Sequence, residues 1–197
     1  MPMAYTTGAL LLLLSVPTQL FATERCRPID RPDEDYRSAA TICSLERLWT
    51  ETNSCENKSG RKVAAFDIRL SVRTRIGWGC WSLPPESESM GYPVVGFTGE
   101  EPSILVVRLG DLAAVAGMEI EPNPFRVFPV VASFRDDEGE ELLHIERMVE
   151  GFIGARLFAV RRDEPVIDSV VIKVPHEAFG FGIAFLRSDA FDSPAGR

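Results

Sequence analysis

Four cysteines, two histidines and an aromatic, proline-rich loop are the residues of this chain whose chemistry can go beyond packing. Cys26, Cys43, Cys55 and Cys80 form an even set in the first part of the chain. A zinc site would call for ligand pairs such as Cys-x-x-Cys, and neither such a pair nor a nearby histidine is present. Two disulfides are the expectation, and the spacing leaves all three pairings open. Each bridge typically stabilises by about 2–4 kcal/mol. Their expected role is to staple an irregular N-terminal segment onto the body of the protein.

The loop from Gly77 to Pro85 and its continuation carry Trp78, Trp81 and Tyr92, with Glu86 among them. Flat aromatic rings stack on the apolar faces of sugars, and a carboxylate beside them can accept from hydroxyl groups. Trp78, Trp81, Tyr92 and Glu86 are therefore the candidate ligand-binding set, and Glu88 or Glu100 offers the same polar chemistry. The competing reading packs both tryptophans beneath the loop as core, with Cys80 pinned between them. Asp136, Asp137 and Glu138, followed by Glu140 and Glu141, crowd carboxylates at a hairpin tip. Calcium takes six to eight oxygen ligands, which makes the first three weak metal candidates. The spacing is not that of an EF-hand, and a solvated turn explains it as well. No cofactor is expected beyond a structural calcium.

Catalytic signals are sparse. His144 falls on the polar side of a strand pattern and His176 follows Pro175 at a strand end. There is no Gly-x-Ser-x-Gly elbow, no His-x-x-x-His pair and no phosphate-cradling glycine loop. A glycosidase needs only two carboxylates, and an acidic chain offers many pairs without singling one out. The chain is expected not to be an enzyme. Asn57-Lys58-Ser59 matches a glycosylation acceptor and reads as a chance match.

The elements that must position these residues follow from pattern. Leu10 to Leu14, extended to Val16 and ended by Pro17, gives residues 1–22 the form of an export signal. Its apolar run is far shorter than the roughly 20 residues that span a bilayer. Residues 23–60 form the disulfide-stapled extension, in which Ser38 to Thr52 is either a helix or an edge strand. Residues 61–191 form the main domain, and 192–197 a disordered tail. From Arg61 the period is two: Phe66, Ile68, Leu70 and Val72 alternate with polar residues. Ser103 to Leu109 is almost continuously apolar. Phe128, Val130, Ala132 and Phe134 alternate, and a return strand carries Leu143, Ile145 and Val149. Ala155 to Val160, Ile167 to Val174 and Phe179 to Leu186 complete the series. In the last, Phe179, Phe181, Ile183 and Phe185 are expected to share a face, with Gly180 and Gly182 opposite. Eight or nine strands without intervening helices predict an all-β protein, an antiparallel sandwich or barrel.

With 197 residues, 45% hydrophobic and 25% charged, the chain is neither disordered nor fibrous. Its net charge of -8 disfavours nucleic acid and anionic membranes as partners. That acidity is regional, since residues 86–150 hold 14 acidic and 4 basic side chains.

Several segments, in order, resemble exported bacterial jelly-roll domains. These are Trp78-Gly-Cys-Trp-Ser-Leu-Pro-Pro-Glu86, Ala116-Gly-Met-Glu-Ile-Glu-Pro-Asn-Pro-Phe125, Gly151-Phe-Ile-Gly-Ala-Arg-Leu-Phe158, Asp163-Glu-Pro-Val-Ile-Asp-Ser-Val-Val-Ile172 and Ala178-Phe-Gly-Phe-Gly-Ile-Ala-Phe-Leu-Arg187. The resemblance covers about residues 61–190. It implies a galactose-binding-like β-sandwich of jelly-roll type, secreted or held in the cell envelope. The clustered cysteines and the absence of a sorting tail depart from the pattern. The function that goes with the resemblance is non-catalytic recognition of a carbohydrate or cell-surface component through loops at one end. The alternative is a structural envelope or matrix protein acting by protein–protein contact.

Overall fold

The computed structural model describes residues 26–45, 49–74, 81–82, 85–88, 94–123, 125–151 and 154–192. Its strands, in chain order, are β1 Arg27–Ile29, β2 Thr41–Ile42, β3 Thr50–Glu56, β4 Lys62–Thr74, β5 Val94–Phe97 and β6 Ile104–Ala113, then β7 Val115–Pro122, β8 Val127–Arg135, β9 Glu141–Glu150, β10 Arg156–Arg161, β11 Ile167–Lys173 and β12 Phe181–Ser188. A six-residue helix, α1, spans Glu34–Ala39. The protein is all-β. Its antiparallel strands lie in the order β1-β10-β7-β12-β5-β4-β6-β11-β8-β9, with β2 beside β12 and β3 beside β4. The sheet curls until it nearly closes into a barrel. At the seam, Arg147 of β9 pairs with Asp30 at 2.9 Å, just past β1. The same guanidinium lies over the Phe158 ring of β10.

Alternation fixes what goes inside. Val107, Val170, Phe134 and Leu143 are successive cross-strand partners on β6, β11, β8 and β9. The first three are fully buried in one continuous core. Burying one such side chain is worth about 1.5–3 kcal/mol, so a register slip of one residue would expose the whole row.

The two outer faces differ. Over β10, β7 and β12 the chain lays a second layer: Tyr36 and Ala40 pack on Val115, Leu157 and Ala159. Trp81 packs beside them on Val95, Ala155 and Ala184. Every residue of β7 is buried as a result. Over β6, β11, β8 and β9 no described element lies.

Three sequence expectations change. Residues 23–60 are less irregular than their composition suggests, because β1, β2 and β3 all join the sheet. Their polar residues face out from edges, where alternation carries little signal. Of the two readings of Ser38 to Thr52, the described residues follow the strand one after Ser38 and Ala39 close α1, with β2 and the start of β3, and residues 46–48 lie outside them. Phe179 does not share the face of Phe181 and Ile183. It caps a short 3-10 turn in the left-handed region, with φ 45° and ψ 45°, and is 55% exposed. Beyond it, β12 shifts register against β7 between Ala184 and Arg187, and Phe185 has φ 50°. This bulge breaks the alternation that the sequence implied.

Candidate functional site

A cleft of about 600 Å³ opens between β1, α1 and the end of β10. Its local architecture follows from short-range chemistry. Asp33 caps α1, its carboxylate accepting from the Tyr36 amide at 2.8 Å. Glu34 and Asp35 occupy the first turn and Arg37 the last, the arrangement a helix dipole favours. A six-residue helix is too short to hold itself in water. Fully buried Tyr36 ties it to the barrel.

Arg27, Arg31, Arg161, Asp30, Asp33 and Asp35 are among the residues that line the cleft. Arg27 and Arg161 are cross-strand partners. Arg161 donates to the Asp35 carbonyl at 3.3 Å. Glu86, one of the predicted site residues, stands at the rim: it lies 3.7 Å from both Arg31 and Arg156. The cleft is thus lined largely by arginine and aspartate residues, with buried Tyr36 in its floor.

Beneath that floor lies a sealed polar network. Fully buried Glu119 of β7 accepts from the Trp81 indole N–H at 2.7 Å, the Ser87 hydroxyl at 2.6 Å and the Glu88 amide at 2.7 Å. Glu88 in turn receives Arg187 through two contacts, Nε at 2.6 Å and Nη2 at 2.8 Å. The third arm of Arg187 donates to the Ala40 carbonyl at 2.8 Å. One guanidinium therefore joins β12, the 85–88 segment and the end of α1. The bulge makes this possible. With strict alternation after Ala184, Arg187 would point into the apolar interior; the extra residue turns it to the face of Gly117 and Glu119. Gly182 lies beneath the Trp81 ring, close enough that a Cβ there would be in van der Waals contact with it.

Burial pushes the Glu119 carboxyl up to about 7, against the pull of its three donors, with the Glu88 charge adding to the rise. Burial also pushes the Tyr36 hydroxyl well up, helped by Glu88. That hydroxyl has no hydrogen-bond partner among the described residues. For Arg187 burial disfavours the charge, yet the contact with Glu88 outweighs it and the group is held above its ordinary value. Two neighbouring carboxyl groups with different environments resemble an acid/base pair. Glu119 is fully buried, however, and the Glu88 side chain 7% exposed, so no substrate reaches them. Their chemistry is that of an anchor.

The other predicted residues are placed as follows. Trp81 is fully buried: it is core and presents no ring face to a sugar. Trp78, Cys80 and Tyr92 lie outside the described residues. Cys43 and Cys55 form a disulfide, and Cys26 is unbridged among the described residues. Cys26 precedes β1 at the edge by Arg162, on the far side of the barrel core from β4, whose partner strand β3 holds Cys55. Asp136 caps its own turn, accepting from the amides of Glu138 and Glu140. Among the described residues no three His, Cys, Asp or Glu side chains converge as a metal site. His144 is exposed and contacts Glu141 at 2.7 Å. Asn57 organises a turn, its amide donating to the Phe191 carbonyl. No described helix is long and apolar enough to cross a membrane.

Glu119, Arg187, Tyr36 and the cleft arginines escaped the sequence reading. In Met118-Glu-Ile-Glu121 the alternation looks half-buried, with carboxylates facing water. Glu121 and Glu119 are both fully buried. The only available signal was their place beside an aromatic loop that needed donors satisfied. No protein-family model matches the sequence, and no curated protein is significantly similar to it.

Proposed function

We propose that this protein is a non-catalytic, exported recognition domain that binds a polyhydroxylated ligand, a glycan or glycan-bearing cell-surface component, in the cleft between β1, α1 and the Glu86 rim. The observation that carries the reading is the cleft lining: three arginine and three aspartate residues around one open hollow. Vicinal hydroxyls are met well by such groups, because guanidinium gives paired donors and carboxylate paired acceptors. The buried network supports it, since loops and short elements that carry binding groups must be held by rigid ones. An export signal and a disulfide agree with an oxidising compartment. The fold that goes with this reading is a flattened barrel of jelly-roll type, in which strands distant in sequence lie side by side. The order of motifs shared with exported jelly-roll domains points the same way.

The test is a polysaccharide and glycan panel probed with the full chain, then with Arg161→Gln and Asp35→Asn. Hydrogen bonds to charged groups contribute about 1.5–3 kcal/mol, so each variant is expected to weaken binding by roughly tenfold or more with unchanged melting. Binding that survives both substitutions, or no binding to any member of the panel, overturns the proposal.

A further inference from the structure

The uncovered outer face of the barrel carries an ordered pattern. Val131 of β8 lies between Lys173 of β11 and Glu146 of β9, all three in one cross-strand row. All point outward, because their neighbours Val130, Ala132, Ile172 and Ile145 are inside. The next row pairs Pro129 with Met148 and the next Val127 with Glu150. On the other side Ile104 of β6 is the partner of Lys173. Met148 is 60% exposed, Val127 55% and Ile104 47%. Val127, Pro129 and Val131 thus form an aliphatic strip along β8 with Met148 beside it, Lys173 and then Ile104 on the β11 side, and Glu146 and Glu150 on the β9 side. Lys173 and Glu146 make no ion pair within the chain among the described residues.

We infer that this face of β6, β11, β8 and β9 is the interface of a weak symmetric dimer of the chain. A two-fold axis running along β8 through Val131 exchanges the two sides of the row. It sets Lys173 of one copy over Glu146 of the other, and the reverse, with Val131 and Pro129 packed on their own images. Isologous contacts need this self-complementarity, and the strand register supplies it. A net charge of -8 opposes an anionic membrane as the occupant. The aliphatic strip, with its adaptable methionine, lacks the aromatic faces that sugars use. Four strands about 4.8 Å apart, each lending about seven residues of 3.3 Å, give a face of roughly 400 Å². That is about half the roughly 800 Å² per partner of a standard interface, so association belongs in the micromolar range or weaker. The inference is independent of the cleft.

Sedimentation velocity on the full chain, from low micromolar to near-millimolar concentration, tests it. The weight-average mass should rise from monomer towards dimer. Lys173→Glu and Glu146→Lys should each weaken association by at least tenfold, because each creates a like-charge contact. The double exchange should restore it, while circular dichroism stays unchanged throughout. A monomer over the whole range, association indifferent to the single reversals, or a double exchange that fails to rescue would each overturn the inference.

Discussion

The barrel's two outer faces solve opposite problems. The face over β7 and β12 is roofed by α1, Trp81 and residues 85–88, and its polar side chains are locked in a dry network. The face over β8 and β11 has no second layer of described elements, and carries exposed aliphatic and charged side chains such as Val127, Met148 and Lys173. On the first, carboxylates are buried and positioned; on the second, apolar groups are exposed and aligned. A buried charge is costly unless it is paired and hydrogen-bonded, and Glu88 with Arg187 meets that condition. Such an arrangement stabilises less than an apolar core would. What it adds is a defined geometry for the segments it joins. The difference teaches that the roofed face fixes a shape for the cleft, and the bare face offers area.

The largest effect expected from breaking this contrast is Arg187→Met. It leaves the Glu88 carboxylate buried without its cation, and truncating one partner of such a pair costs about 3–5 kcal/mol. Chemical denaturation should show that loss. A loss below about 1 kcal/mol would mean that the 85–88 segment opens to water and the network is loose.

A smaller effect concerns pH. Between the ordinary carboxyl value of 4.5 and about 7, folded Glu119 holds a proton that the unfolded chain has released. Its contribution to stability is therefore complete below 4.5, falls as pH rises through 7, and is level above. The fall amounts to about 3 kcal/mol at most. Glu119→Gln removes it. Relative to the variant, wild type should be more stable at pH about 5 than at pH about 8, as read by denaturation at the two values. A difference that does not change with pH would mean that Glu119 stays ionised throughout.

The smallest effect belongs to the bare face. Met148→Gln, measured in dilute monomer, should change stability by no more than about 0.5 kcal/mol, since the side chain is already mostly in water. A larger loss would show that the face is covered by chain after all, and the contrast between the two faces would go.

The sequence was informative where one residue's environment depends on its neighbours along the strand. The alternation in β4, β8 and β9 identified inward residues such as Phe66, Val130 and Ile145, because a strand with one apolar face repeats every two residues. It failed in β7, where both faces are buried and a carboxylate every second residue imitated a solvent face. It failed again at Phe185, where the bulge inverts the parity. The cleft was legible only through Glu86. Its arginines lie in β1 and β10, more than a hundred residues apart, and nothing local announces their meeting.

Taken alone, the sequence determined the all-β class, the polar and apolar sides of most strands, and the even set of cysteines. These follow from covalent periodicity and from composition. The tertiary structure decided that Trp81 is core, that Cys43 pairs with Cys55, and that Glu119 is buried with Arg187 half-buried above it. Those outcomes depend on which strands become neighbours and which face receives a second layer. Contacts between residues distant in the chain are set by closure of the sheet, a property of the whole fold that no short stretch of residues contains.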